Sequence, residues 1–456
     1  MAGATRQIAE FVCGTSAEVL PPAVIRMAEL SLLDWLGSAV SGSRSQPTRA
    51  LMEIVKAMER VGEATLIPDG TRAPAYWAAL VNAASSHVTE MDDLHKPSVV
   101  HPGAPVIPAA LAIAEKTGAA GRDLMAAIAV GYEVAIRVGE CVGPTHYHYW
   151  HSTGTCGIFG AAAAVARLLG LSAEATVWAL GSAGTQAAGL WEFLVDGAMS
   201  KQLHPAKAAA DGLLAALMAA QGFTGATRIF EGEKGFCEAT SEAPDYRRLT
   251  DGLGANYRIL GNSFKAHAAC YHIHSTIDAV LQLRAEHPLS PEVISGVTVR
   301  LYPVALDLLE KVEPDSPYAA KFNIPFCVAA ALSWGKVDPD AFSSEALGHP
   351  QMRRLMKIVR LERDSALSAE YPDKWPAHVT IETRRGERYA AHCEVPKGDP
   401  RNPMTEEELT AKFRDLAAPI LPTASIPPLI ERCLGLHKTP TVRGFLAGLD
   451  PKQNSK

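Results

Sequence analysis

Cysteine is sparse in this sequence and is never arranged as a metal-binding pair. The 456 residues contain eight cysteines. They are Cys13, Cys141, Cys156, Cys237, Cys270, Cys327, Cys393 and Cys433. No two have the Cys-x-x-Cys spacing of zinc ribbons and iron–sulfur clusters, so a thiolate cluster is excluded. A disulfide framework is not expected either, because intracellular thiols stay reduced.

The sequence also lacks a basic excess and a long apolar run. Lysine and arginine total 43 against 49 acidic residues, and the formal net charge is −6. Nucleic-acid phosphates attract the opposite sign of charge. No apolar run is long and uninterrupted enough to span a bilayer, and the first 14 residues lack the apolar core of a secretory signal. We therefore expect a cytoplasmic protein that binds neither nucleic acid nor membrane.

Strand patterns are almost missing before residue 290, which excludes an alternating α/β sheet over that part of the chain. Apolar residues recur there at helical spacing, in segments rich in alanine and glycine. After about residue 262, period-two patterns at 297–301 and on both sides of Arg385-Gly386 predict strands, the second pair as a hairpin. The prediction is a mainly α protein. A large all-helical domain comprises residues 1–262 and 408–456, and an α+β module at 263–407 is inserted into it.

Local signals predict where several helices begin and end. Helices are expected over about 121–140, 323–333 and 351–360, and another is expected to begin at Pro205. Ser172 is a candidate N-cap. Thr405 and Glu408 form a capping box at the start of the C-terminal helices.

Motifs for cofactors and metals are missing as well. Gly157 and Gly160 follow no strand, so they are not a dinucleotide fingerprint, and Gly335-Lys336 lacks the upstream glycine of a P-loop. His146, His148 and His151 have no carboxylate beside them in sequence, which disfavours a zinc or iron site. We predict no metal and no cofactor.

Against this background, four polar islands are conspicuous because each precedes or opens a helix. The first runs from Glu90 to His101 and the second from His146 to Thr153. The third is Lys201 to His204 and the fourth is Lys265 to His274. Free N–H groups at a helix N-terminus attract carboxylate or phosphate, and histidine exchanges protons near neutral pH. The islands predict one anion pocket with acid–base chemistry, the alternative being surface loops whose Asp residues only cap helices.

The motifs in these islands resemble those of the MmgE/PrpD family, which contains 2-methylcitrate dehydratase, cis-aconitate decarboxylase and iminodisuccinate epimerase. The matching stretches include EMDDLHKPSVVHPGAPVIPAALAIAE, HSTGTCGIFGAAAAVARLLGL, MSKQLHPAKAAADG and KAHAACYHIHSTIDA. The resemblance extends over essentially the whole chain. It implies that the inserted module is a lid, that the protein is a homodimer, and that it acts without a cofactor on a small polycarboxylate.

The resemblance and the acid–base argument together assign roles to residues. A substrate with several carboxylates needs cationic clamps, and proton abstraction needs a base with a pKa near the working pH. The predicted catalytic residues are His101, His151, Lys201, Lys265 and Asp93. The predicted substrate-binding residues are Glu90, Asp92, His95, Gly103, His204 and His274.

Two positions depart from the family pattern and bear on the reaction. Leu94 stands where the acidic loop of the family often has threonine, and Cys270 stands where the decarboxylase branch has histidine. The prediction is accordingly a lyase of the hydro-lyase type, similar to 2-methylcitrate dehydratase. A decarboxylase, an epimerase and a non-catalytic polycarboxylate-binding protein on the same scaffold are the alternatives.

Overall fold

The computed structural model describes residues 3–58, 62–310, 314–371 and 373–449, with the side chain of residue 196 left out. Helices dominate the first of its two parts. They are α1 Ala4–Gly14, α2 Pro22–Gly42, α3 Gln46–Lys56, α4 Ala75–His87, α5 Gly103–Thr117, α6 Gly121–Tyr147, α7 Ser152–Thr155, α8 Gly157–Leu168, α9 Ala173–Gly184, α10 Phe193–Asp196, α11 Ser200–Ala220, α12 Phe236–Thr240 and α13 Arg247–Thr250. Strands β1 (Ala64–Thr65) and β2 (Arg72–Ala73) pair as a short antiparallel hairpin between α3 and α4.

The centre of this part is a stack of α4, α5, α6, α8 and α11. Their facing residues are mostly alanine and glycine, which let the helix axes approach closely. One close approach is where α6 crosses α8. A Cβ atom on Gly131 would lie 2.8 Å from the Gly160 carbonyl oxygen, and one on Gly160 would lie 2.5 Å from that of Gly131. Only glycine fits at this crossing, because real Cβ atoms do not approach oxygen so closely.

The second part surrounds its own hydrophobic core. Its helices are α14 His274–Glu286, α15 Pro303–Leu309, α16 Ile324–Trp334, α17 Ser344–Gly348 and α18 Pro350–Lys357, and its strands are β3 Ile294–Leu301, β4 Val359–Arg363, β5 Ala377–Thr383 and β6 Arg388–Cys393. The sheet has the order β4-β3-β5-β6, with β3 parallel to β4 and antiparallel to β5. The alternate residues of β5 are buried, and α14 packs against β5 and β6.

The chain then returns to the first core through α19 (Glu406–Ala417) and α20 (Ile426–Leu434), which both pack against α2. The capping box of Thr405 and Glu408 is present. On α19, Lys412 Nζ lies 2.6 Å from Asp34 Oδ1 of α2 and 2.6 Å from the Met91 carbonyl oxygen. The C-terminal helix therefore holds both the helical core and the acidic loop.

The mainly α fold that the sequence predicts is confirmed, as are the hairpin of β5 and β6 and the N-cap at Ser172. Three boundaries were wrong. Helix α6 continues to Tyr147 through a kink at Gly143, and α11 begins at Ser200 rather than at Pro205. The helix expected over 351–360 ends at Lys357, and its last two positions, Val359 and Arg360, belong to β4, because they pair with β3.

Within the described ranges, no helix combines the length and the apolar character that crossing a membrane requires.

Candidate active site

Side chains from all four polar islands line one narrow pocket between the two cores. Glu90 and His101 come from the first island, His151 from the second and Lys201 from the third. The fourth supplies Lys265 together with Cys270, Tyr271 and His272. The cavity volume is only about 30 Å³. Space of this size holds about two water molecules, so the pocket is narrow in this structure.

The acidic loop between α4 and α5 keeps an unusual backbone conformation at this pocket. Glu90 has φ 55° and Val99 has φ 51°, which is the left-handed region that non-glycine residues rarely adopt. Two buried lysines fix the carbonyl groups beside Glu90. Lys321 Nζ donates to the Thr89 oxygen at 3.0 Å, and Lys412 Nζ donates to the Met91 oxygen at 2.6 Å. The surrounding structure therefore compensates for backbone strain at the site, as it commonly does where residues are functional.

Lys201 and Lys265 both reach the carboxylate of Glu90. Lys201 Nζ donates to Oε1, and Lys265 Nζ lies 2.8 Å from Oε2. Lys265 Nζ also lies 3.4 Å from Asp92 Oδ1. Burial alone would raise the pKa of Glu90, but the two ammonium groups outweigh it and hold that pKa well below its usual range. The same carboxylates raise the pKa of Lys265 against its burial. The site therefore contains two preorganised lysines, and the raised pKa keeps Lys265 charged.

His101 faces the pocket with a defined tautomer. Its Nδ1 lies 2.6 Å from the Asp93 carbonyl oxygen and 3.1 Å from Asp92 Oδ2. A carbonyl oxygen can only accept, so Nδ1 carries the proton and Nε2 of the neutral ring is a proton acceptor. Burial lowers the pKa of His101 to about 4, although Asp92 opposes the shift. His101 is thus a neutral base over most of the pH range.

Asp92 joins two histidines in a buried triad. His87 Nδ1 lies 2.6 Å from Asp92 Oδ2, the oxygen that His101 also contacts. Among the described residues, His87, Asp92 and His101 are the only three metal-ligand side chains whose donor atoms lie within 4.8 Å of one another. These atoms hydrogen-bond to each other, which accounts for their positions without an ion. Independence from metal stays a prediction.

His151 is paired with His204 and also contacts the triad. The two Nδ1 atoms lie 3.0 Å apart, and the His151 ring stacks on that of His87 with centroids 5.5 Å apart. Burial lowers the pKa of His151 well below its usual range, and it lowers that of His204 to about 4. Both rings are therefore neutral, and one of them donates to the other.

Several predicted site residues lie outside the pocket lining. Asp93 is buried behind it, where Oδ1 accepts from the Gly103 amide at 3.1 Å and Oδ2 accepts from Tyr132 and Asn262, each at 2.7 Å. Burial raises the pKa of Asp93 to about 7. His95 Nδ1 pairs with Ser98 at 2.9 Å within the loop. These contacts shape the loop rather than face the cavity.

The fourth island presents a different histidine from the one predicted. His272 lines the pocket, stacked on Trp375 with centroids 4.0 Å apart, whereas the His274 Nε2 donates to the Ala269 carbonyl at 3.2 Å. His272 and His274 are two positions apart, so their side chains are expected to point in different directions, but the spacing does not predict which one faces the cavity. Other pocket residues were missed because no local pattern marks them. These are Tyr147, Trp191, Phe322, Trp375 and, hydrogen-bonded to Glu90, Tyr318.

Comparisons with known proteins match nearly the whole chain. Residues 6–249 match the model of the MmgE/PrpD N-terminal domain, and residues 267–436 match that of the C-terminal domain. The chain is 27% identical to the cis-aconitate decarboxylase-like protein oryM of Aspergillus oryzae, over 97% of this chain and 96% of the relative. It is 24% identical to a cis-aconitate decarboxylase of Aspergillus terreus, over 97% and 95%. It is 26% identical to that of Homo sapiens, over 94% and 90%.

Proposed function

The chain belongs to the MmgE/PrpD family, and we propose that it is a cofactor-independent lyase for a small polycarboxylate. The observation that carries the proposal is that two buried lysines and a histidine base lie in the same pocket. Lys201 and Lys265 converge on one carboxylate, and His101 lines the same cavity. Lysines placed this way attract substrate carboxylates and stabilise the enolate-like charge that forms next to one of them.

Decarboxylation is the reaction that the relatives favour, since their names are those of cis-aconitate decarboxylases. The sequence analysis put dehydration first, and nothing in the comparisons supports that choice. In decarboxylation the C–C bond to the departing carboxylate breaks, and carbon dioxide leaves. The electron pair stays on the substrate, delocalised toward a second carboxylate beside the lysines. A proton from His101 or His151 then completes the product, after the anionic substrate has raised the pKa of these rings.

Residues 263–407 act as a lid in this proposal. The pocket takes side chains from both cores, and its cavity of about 30 Å³ is narrow for a polycarboxylate. Substrate entry then requires the two parts to separate, and closure shields the reaction from water. The homodimer and the cytoplasmic location that the sequence analysis expects belong to the same proposal.

A turnover assay with chelator-treated protein tests the proposal. Cis-aconitate, citrate, 2-methylcitrate and dicarboxylate analogues are supplied in turn, and carbon dioxide release is measured beside the loss or gain of water. We expect carbon dioxide from at least one acid, with activity unchanged by chelation. Lys201→Ala should lower kcat/KM by about a hundredfold or more. Lys207→Ala on the same helix, whose side chain is 41% exposed, is the matched control.

Turnover that needs a stoichiometric metal would overturn the cofactor-independent mechanism. Loss of water without carbon dioxide would return the assignment to a dehydratase. An absence of turnover with every acid, together with measurable binding, would favour the non-catalytic alternative.

A further inference from the structure

Lys321 is the one buried lysine of the described residues that forms no ion pair with another of them. The other four buried lysines are each paired: Lys96 with Asp399, Lys201 with Glu90, Lys265 with Glu90 and Asp92, and Lys412 with Asp34. Lys321 is nevertheless only 7% exposed. Charged groups at this depth are normally paired, so a buried lysine without a carboxylate partner indicates a role other than stability.

The contacts of Lys321 hold two segments of the pocket together. Its Nζ donates to the Thr89 carbonyl oxygen at 3.0 Å and to the Ala268 carbonyl oxygen at 3.2 Å, and it lies 4.2 Å from the centre of the Phe342 ring. The Lys321 carbonyl oxygen in turn accepts from the Cys270 amide at 2.9 Å. The side chain therefore connects the acidic loop to the fourth island, and both segments line the pocket.

The charged and titratable groups that face Lys321 come from four segments. Glu90 faces it from the acidic loop, Lys201 from α11, Lys265 from the fourth island and Cys327 from α16. Burial is the main reason that the pKa of Lys321 falls to about 8; Glu90 opposes this shift, and the two other lysines add to it. Burial also raises the pKa of Cys327, so its thiol stays neutral. Lys321 therefore changes its charge at mildly alkaline pH.

Lys321 adds a third ammonium group to the surroundings of Glu90. Lys201 and Lys265 already face the carboxylates of Glu90 and Asp92 in ion pairs. A bound polycarboxylate brings further negative charge, which has to be compensated in a buried site. The lining histidines, tyrosines and cysteine are neutral near pH 8, because burial lowers the pKa values of the histidines and raises the others; these residues are His101, His151, His272, Tyr147, Tyr271 and Cys270. The lysine without a carboxylate partner is then the group that compensates the charge of the substrate.

We propose that the site binds its polycarboxylate only with the Lys321 ammonium group protonated, so that at alkaline pH a proton enters from solvent together with the substrate. A nearby anion favours the charged form of an amine, and the complex therefore keeps the proton that free Lys321 loses. Nζ gains the proton, and no other bond changes. Lys321 acts through the loop and not on the reacting atoms, which makes it a positioning residue. The inference rests on the proposed function, because both require a polycarboxylate beside Lys201 and Lys265.

Titration calorimetry with cis-aconitate and with citrate tests this inference at pH 7 and pH 9. At pH 9 each titration is made in two buffers of different ionisation enthalpy, which gives the number of protons taken up on binding. Asp93, with its pKa of about 7, holds almost no proton at pH 9 and does not interfere. We expect the wild-type protein to bind about tenfold more weakly at pH 9 than at pH 7, and to take up at least about half a proton at pH 9.

Two variants of Lys321 separate its charge from its packing. Lys321→Arg carries a guanidinium group that stays charged, so its affinity should change less than about twofold between the two pH values, with no proton uptake. Lys321→Met should bind at least about tenfold more weakly than the wild type at pH 7, again without proton uptake. The matched control is Lys336→Met, which removes a 62% exposed lysine from the same part of the chain. It should keep the proton uptake and the pH dependence of the wild type.

An affinity of the wild type that is equal at both pH values, or a proton uptake that persists in Lys321→Arg, would overturn the inference and leave the polycarboxylate site standing. The wild type and Lys321→Arg alone decide the question should the methionine variant fail to fold. If the wild type bound neither cis-aconitate nor citrate at either pH, the proposed function would fall together with the inference.

Discussion

At the scale of single residues, His101 is the side chain whose chemical state the structure defines most fully. The Asp93 carbonyl fixes the proton on Nδ1. Burial lowers the pKa of the ring to about 4, so the ring is neutral above that pH. The free Nε2 is then the base of the pocket. His151 differs, because its Nδ1 partner is another histidine and either ring can donate.

Replacement of His101 tests this role. We expect His101→Ala to lower kcat by about a hundredfold to ten-thousandfold, since that is the typical cost of losing a general acid or base. The protein should stay folded, which circular dichroism checks. His148→Ala, which removes an exposed histidine directly after the end of α6 at Tyr147, serves as control. A variant with normal kcat and a raised KM would make His101 a clamp instead.

At the scale of elements, the kink in α6 is what carries Tyr147 to the pocket. Gly143 has φ 61° and ψ −161°, a conformation essentially restricted to glycine. No atom lies within 4 Å of the position that a Cβ would take there, so only the backbone opposes a substitution. The kink is thus specified by a single residue rather than by packing.

Gly143→Ala should therefore lower the free energy of unfolding by about 1–3 kcal/mol and reduce turnover as well. Gly170→Ala is the matched control, because Gly170 has φ 63° and equally open surroundings but lies outside the pocket. It should cost only about 1–2 kcal/mol, as expected for the left-handed region, and leave turnover unchanged. Urea denaturation and activity assays measure both effects. An unaltered stability of the Gly143 variant would contradict the argument.

The pairing of α19 with α2 supports another prediction at this scale. Lys412→Met leaves the buried Asp34 carboxylate without its cation, and it also releases the Met91 carbonyl in the acidic loop. Removal of one partner from a buried ion pair typically costs about 3–5 kcal/mol. Chemical denaturation should show a loss of this size, and the double variant with Asp34→Asn should recover part of it. A loss below about 1 kcal/mol would mean that water replaces the ammonium group.

Sequence patterns predicted the helical fold, the inserted sheet and the four islands, because helical and strand periodicities are local properties. They did not separate His272 from His274, since the turn Tyr271–Ile273 within the fourth island decides which ring faces inward. The patterns also predicted that Lys201 and Lys265 bind substrate, but they did not predict that the Glu90 carboxylate bridges the two lysines. That contact joins residues 111 and 175 positions apart, and only the tertiary structure brings them together.

At the scale of the whole molecule, buried histidines link stability to pH. Burial lowers the pKa of His95 and His272 to about 3, and that of His101, His146 and His204 to about 4. An unfolded chain binds protons on these rings from about pH 6.5 downward, whereas the folded protein does not until about pH 4. The contribution of these histidines to the free energy of unfolding is therefore fully present above pH 6.5 and is lost as the pH falls toward 4. Asp93, with its pKa raised to about 7, acts in the opposite direction, and so do Asp34, Glu115, Glu133 and Glu140, whose pKa values burial also raises.

The free energy of unfolding should accordingly be lower at pH 5.5 than at pH 7.5 by at least about 3 kcal/mol. Urea denaturation at the two pH values measures the difference. His146→Phe, which removes one such ring far from the acidic loop, should make the pH dependence shallower. Equal stability at both pH values would show that the histidines are accessible to protons in the folded state.

The return of the C-terminal helices has a consequence for how the protein is made. On the ribosome, α2 emerges early, whereas its partner α19 follows only after the whole inserted sheet has been translated. The second core, which lies almost entirely within residues 268–381, can assemble before the first core is complete. Until residue 412 appears, Asp34 has no cation and the loop that carries Glu90 has no anchor at Met91. The pocket is therefore a late product of synthesis, and the nascent chain carries its catalytic side chains long before they can meet.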